Sequence, residues 1–180
     1  PLTIQPVESM EIDLPIAELR LTGWLSSLHS RGRISFRPAN LKARDLLQLW
    51  IQHLVLLLVQ PAGVEPFSVH LASDKTVYFG EVAEPEAELA SLVRLFQQGL
   101  CEPLHFYPTT SYAWAKAKSA ASARSAAFTA WYTGYFRGEE EDPAYALGLR
   151  GQVPLDQGFE ELTEVFGPVL AYVGDFEKLG

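Results

Sequence analysis

The sequence predicts an α+β fold, α/β only in the loose sense: a mixed sheet built from hairpins and flanked by helices. Three observations carry this. Two stretches of alternating residues, at 21–37 and 67–82, each break at a polar turn. Between them lies an almost wholly apolar run, Leu46–Val59. After Glu84 the apolar residues recur at helical spacing.

The first hairpin is Leu21–Ser26, a turn at His29-Ser30-Arg31-Gly32, and Arg33–Arg37. Ile34 and Phe36 alternate with Arg33, Ser35 and Arg37, the period of a half-buried strand. Gly32 supplies a positive φ in the turn, and Pro38 ends the strand because it lacks a ladder donor. The two strands are expected to be adjacent, antiparallel and covered by the next helix. In that helix Asp45 lies in the first turn, where negative charge favours the dipole. Gln60-Pro61-Ala62-Gly63 stops it. Leu46–Val59 falls short of the roughly 20 residues needed to cross a bilayer, so its apolar surface belongs in a core.

Phe67–Leu71 and Thr76–Val82 flank Ala72-Ser73-Asp74-Lys75, a second hairpin. Glu84-Pro85-Glu86 starts a helix whose apolar face is Leu89, Leu92, Val93 and Phe96, capped by Gly99. Leu104–Pro108, aromatic and proline-bounded, reads as a loop or a short extended piece. Ser111–Ala130 reads as helix with a break near Ser119–Ser122. An aromatic cluster, Trp131, Tyr132, Tyr135 and Phe136, then precedes an exposed acidic loop, Gly138–Pro143. Asp156–Tyr172 is the last expected helix, with Phe159, Leu162 and Phe166 on one side.

At 180 residues and 48% apolar content the chain reads most simply as one globular domain, 1–180. A net charge of −8 excludes binding to nucleic acid by bulk electrostatics. The single cysteine, Cys101, rules out an intrachain disulfide and suits a reducing cytoplasm. Pro1–Ser9 has neither the charged start nor the apolar run of a secretory leader. The four histidines show no metal-ligand spacing, and no G-x-x-x-x-G-K-[ST] loop is present, so neither a metal nor ATP is expected in this domain. His105 near Cys101 lacks the orienting group of a nucleophile pair.

The hairpin followed by a helix resembles the core of the PD-(D/E)xK nucleases, whose pattern is G-x-(I/V)-D followed by (V/I)-D-Y-K. Laid on it, Gly23-Trp24-Leu25-Ser26 puts Ser26 at the first Asp. Ile34-Ser35-Phe36-Arg37 puts Ser35 at the second Asp and Arg37 at the lysine. A hydroxyl is a poor ligand for magnesium, and Arg37 does not exchange protons near neutral pH. No lysine in the chain has an acid two residues before it. The resemblance is closest to the C-terminal domain of the exodeoxyribonuclease V gamma chain, RecC. It rests on L-T-G-W-L (21–25), R-x-S-F-R-P-A-N-L-K (33–42) and D-L-L-Q-L-W-I-Q-H-L (45–54). It continues in G-L-C-E-P-L-H-F-Y-P-T-T-S-Y-A (99–113), G-E-E-E-D-P-A-Y (138–145) and F-E-E-L-T-E-V-F-G-P-V-L (159–170).

That resemblance implies a nuclease-like fold without nuclease activity. It also implies a C-terminal fragment of a larger cytoplasmic subunit in a helicase–nuclease acting in DNA repair and recombination. The implied partners are RecB-type and RecD-type helicase subunits and DNA, with no membrane; ATP and magnesium would be used by the partner subunits. The alternative is a metal-dependent nuclease with an unrecognised site. Arg31, Arg33, Arg37, Lys42 and Arg44 are the candidate DNA contacts, weighed against a solvated face paired with acids. Lys116, Lys118 and Arg124 form a weaker basic surface, for which an ordinary solvated face is the stronger reading. Trp131, Tyr132, Tyr135 and Phe136 are the candidate partner anchors, weighed against a place in the core.

Overall fold

Residues 4–132, 134–135, 137–152 and 165–178 are described by the computed structural model. They fall into two units, Pro1–Phe96 with Tyr172–Gly180, and Gln97–Ala171. The architecture is α+β, with six helices and two sheets among the described residues.

The first unit opens with β1 (Met10–Ile16) and β2 (Leu19–Leu25), a two-stranded antiparallel sheet. Ile12 and Ile16 are buried while Glu11, Asp13 and Pro15 are exposed, so β1 alternates as a half-buried strand should. Ala17 and Glu18 both take positive φ, the geometry of a tight two-residue hairpin turn.

A five-stranded mixed sheet follows, in the order β3-β4-β5-β6-β7: Leu28–His29, Gly32–Phe36, Ser68–Leu71, Thr76–Phe79 and Gly174–Asp175. β4 and β5 run parallel, and the other neighbours antiparallel. A parallel pair needs a crossover, and α1 (Ala43–Val59) supplies it. Asp45 accepts the Lys42 backbone N–H at 2.9 Å, which ties down the start of α1. Gln60 closes it in the left-handed region, its N–H donating to Leu56 O at 2.9 Å.

α1 is the centre of this unit's core. Leu46, Leu49, Trp50, Leu54 and Leu56 are buried, and Trp50 lies 5.1 Å from the Phe79 ring and 5.5 Å from Tyr172. The buried central helix and the second hairpin are therefore as the sequence predicts. The first hairpin is not. The Leu21–Ser26 segment pairs with β1, which the sequence reading missed, and Arg33–Arg37 pairs with β3 and β5. The alternation of β4 is also inverted. Arg33 is buried, whereas Phe36 is 80% exposed. The inward face of β4 is the polar one because it meets polar partners on β5 and α1.

α2 (Pro85–Cys101) continues through Gly99, which is helical rather than a cap. Its buried residues are Leu89 and Ala90, and Phe96 is exposed. The second unit contains α3 (Pro108–Ala115), α4 (Ala120–Trp131), α5 (Pro143–Leu149) and the start of α6 (Phe166–Tyr172). The expected break falls just before α4, where Ser119 and Ser122 cap each other's backbone N–H groups at 3.3 and 3.1 Å. Phe166 packs near Phe106 and Tyr112, at 6.0 and 5.4 Å between ring centres. Of the expected last helix, 156–164 lies outside the described residues, as do Phe159 and Leu162.

Candidate functional site

β4 and β5 run side by side with Arg33 opposite Ser68 and Ser35 opposite His70. Strand periodicity puts both pairs on the face that meets α1. Ser68 reaches buried His53 on α1, with Oγ 2.9 Å from Nδ1. Ser35 Oγ lies 2.9 Å from His70 Nδ1 and donates to Val69 O at 3.3 Å. One residue past β4, Arg37 Nη1 makes a 2.5 Å ion pair with Asp45 in the first turn of α1.

Arg33, Ser35, Arg37, Asp45 and His70 line a cavity of about 240 Å³, together with Gln48 and Gln52 of α1. Arg33 is only 5% exposed, and its Nε and Nη1 are buried with no hydrogen-bond partner. Burial pushes its pKa down. The Nε2 of His70 is likewise buried and unpartnered. Burial lowers the His70 pKa; Asp45 opposes that, while Arg33 and Arg37 reinforce it. Among the described lining residues Asp45 is the one carboxylate, and it is already held by Arg37. Among the described residues no group of three or more His, Cys, Asp or Glu side chains is placed to hold a metal.

The residues laid on the nuclease positions therefore separate. Ser35 and Arg37 meet in the cavity. Ser26 is exposed just beyond β2 and does not line it. The basic residues separate too. Arg33 and Arg37 face inward. Arg31 pairs with Glu65 at 2.9 Å on the surface, and Lys42 and Arg44 are exposed at the start of α1. Lys116, Lys118 and Arg124 are exposed, and Lys116 stands 5.7 Å above the Tyr112 ring.

In the second unit Trp131 is buried with Tyr107 and Ala127, its ring 4.7 Å from Tyr107. Tyr132 is exposed and stacks on Phe128 at 5.4 Å; Tyr135 is 96% exposed. Phe136 lies outside the described residues. The acidic loop is not simply a solvated run. The Glu139 carboxylate accepts the N–H groups of Thr109 and Thr110 at 3.0 and 2.8 Å, closing the start of α3. Sequence reasoning missed His70, the Arg37–Asp45 pair and Glu139, since each depends on contacts between residues far apart or on opposite elements. For Asp45, its place eight residues after Arg37 was the one available signal.

Residues 1–119 match the family described as RecC C-terminal domain. The chain belongs to that family. RecC proteins are also its relatives in pairwise comparison. The RecBCD enzyme subunit RecC of Escherichia coli (strain K12) is 32% identical over 114 residues, which are 62% of this chain and 10% of the relative. The subunit of the same name from Mycobacterium tuberculosis (strain ATCC 25618 / H37Rv) is 27% identical over 158 residues, 83% of this chain and 14% of the relative. The chain thus spans about a tenth to a seventh of the length of the RecC relatives it matches. No helix among the described residues is long and apolar enough to cross a membrane.

Proposed function

We propose that this chain is a non-catalytic structural and interaction domain of a RecBCD-type helicase–nuclease, exodeoxyribonuclease V, in double-strand break repair and recombination. It docks a helicase subunit and helps guide DNA. The observation that carries the non-catalytic reading is the Arg37–Asp45 pair beside neutral Ser35. A divalent cation needs several hard anionic oxygens, and among its described residues this cavity offers one carboxylate, already bound to a guanidinium. ATP and magnesium chemistry then belongs to the RecB-type and RecD-type partners, in the cytoplasm.

Docking is favoured by the sheet face turned away from α1. It carries an open groove of about 960 Å³ whose lining includes Ile34, Phe67, Val69, Leu71 and Phe176. Leu71 and Phe176 are exposed there. An uncovered apolar face of this kind marks an interaction surface. DNA contact ranks second: the overall charge of −8 repels a polyanion, and Arg31, Lys42 and Arg44 are the outward cations of the patch.

Leu71→Ser and Phe176→Ser in the parent subunit should each weaken assembly by about 1–2 kcal/mol, roughly 5- to 30-fold in Kd. Lys42→Glu with Arg44→Glu should leave assembly intact. If assembly survives the groove changes while the charge reversals alone stop unwinding, the domain is chiefly a DNA guide. For catalysis, the purified chain with magnesium or manganese should leave single- and double-stranded DNA uncut. Cleavage that Asp45→Asn abolishes would establish the nuclease alternative.

A further inference from the structure

We propose that the cavity between β4, β5 and α1 is an oxyanion site that takes a phosphate-type group. The proposal stands apart from the docking reading, since it concerns the opposite face of the sheet. A guanidinium with two buried nitrogens and no partner is expensive to keep, because burial removes the water that solvated it. Arg33 is in that state, and it lines a cavity rather than packed apolar surface. Among the described residues the lining holds two guanidinium cations against one carboxylate, an excess of one positive charge. Asp45 would repel an incoming anion, but Arg37 neutralises it at 2.5 Å.

The remaining groups favour the same class of ligand. Gln48 and Gln52 bring amide donors from α1. Because Ser35 Oγ donates to Val69 O, His70 Nδ1 carries the ring proton and donates to Ser35, so its buried Nε2 is an acceptor that can take the O–H of a hydrogen phosphate. Donors thus approach from the sheet and from the helix. That suits a tetrahedral group with oxygens in several directions better than a planar carboxylate. A guanidinium fork is the side chain best matched to phosphate oxygens. At about 240 Å³ the cavity has the space of roughly eight waters, enough for one such group. Exposed Phe36 and Gln48 in the lining mark its mouth to solvent.

The test is a titration of the full chain with inorganic phosphate against chloride at matched ionic strength, followed at the Arg33 Nε–Hε NMR signal and by thermal unfolding. The expected result is a saturable, phosphate-specific shift of that signal and a Tm rise of about 2–4 °C at roughly five times Kd. Arg33→Met should abolish both effects. It should still fold, because an unpaired buried charge is exchanged for an apolar side chain. Arg33→Lys, which keeps the charge but not the fork, should weaken phosphate binding about tenfold or more. If Arg33→Met does not fold, the wild-type signal and the lysine variant decide.

The source of the group is read by competition between 5′-phosphorylated and 5′-hydroxyl oligonucleotides. Preferential displacement of phosphate by the phosphorylated strand supports a site for a nucleic-acid end; equal, weak displacement supports a site for free phosphate. A response to phosphate no larger than that to chloride, or one that persists in Arg33→Met, overturns the proposal and leaves the cavity to water. Loss of this binding with assembly intact would leave the docking reading standing, and the reverse also holds.

Discussion

His53→Ala should destabilise the first unit by about 3–5 kcal/mol in chemical denaturation. His53 is 0% exposed in the middle of α1. Its Nε2 lies 2.7 Å from the Gly80 carbonyl, which can only accept, so Nε2 carries the proton. Nδ1 therefore accepts from the Ser68 hydroxyl at 2.9 Å. The imidazole thus fastens the crossover helix to β5 and to the end of β6, while its ring stacks at 5.6 Å on Phe79. Truncation leaves a buried hydroxyl and a buried carbonyl without partners, each costing about 1–3 kcal/mol. It also opens a cavity that the surrounding rings cannot fill. A loss below about 1 kcal/mol would mean that Ser68 and Gly80 find other partners easily.

The same histidine gives the chain an acid limit. Burial pushes its pKa down to about 4, with the Gly80 bond opposing the shift. The folded pKa lies below the unfolded value of about 6.5, so the fold favours the neutral ring. The stability this contributes is full above about pH 6.5 and declines as pH falls towards 4, by up to about 3 kcal/mol. His70 is shifted in the same direction by burial and adds to the decline. In His53→Ala the acid limb should flatten by close to one proton between pH 4 and 6.5. An unchanged limb would assign the acid sensitivity to other groups.

How much of this was legible in the sequence depended on whether the signal was local. The Leu46–Val59 run predicts α1 because a long apolar stretch has few alternatives, and Ser119–Ser122 predicts the break before α4 through its own capping chemistry. β1 was also there to be read, in the alternation of Ile12, Leu14 and Ile16. It was missed because its turn, Ala17-Glu18, lacks the glycine or asparagine that usually marks positive φ. β3 and β7 are two residues each and carry no period at all. The parallel pairing of β4 with β5 joins strands separated by α1, so a reading that pairs neighbours assigns β4 to the wrong partner.

The site was harder, for a related reason. A buried arginine breaks the binary pattern on which strand faces are assigned. Arg33 therefore looked like a solvent-facing cation in a basic run, when it is the most enclosed member of that run. Local rules fail where function or strain overrides them, and β4 is such a place. Ser35 and Arg37 were found through resemblance to nuclease positions; their partners His70 and Asp45 came only with the fold.

Gly32→Ala should cost about 3–5 kcal/mol and disturb the cavity as well as the fold. Gly32 opens β4 at φ +112, a region that L side chains rarely adopt. A Cβ there would stand 2.9 Å from the Phe67 carbonyl carbon and nearer still to its oxygen. That carbonyl accepts the Arg33 N–H at 2.8 Å, the bond that starts the parallel register of β4 with β5. A clash with backbone has no flexible side chain to absorb it, so β4 must move away from β5. Movement there separates Arg33 and Ser35 from His70. Gly63→Ala separates the two causes: Gly63 also has positive φ, +76, but nothing lies within 4 Å of its added Cβ. It should lose about 1 kcal/mol from backbone strain alone. Denaturation midpoints of the two variants, with hydrogen exchange at the Arg33 amide, check this directly. Equal losses at both positions would show that φ strain, not the approach of Phe67, makes glycine necessary at the head of β4.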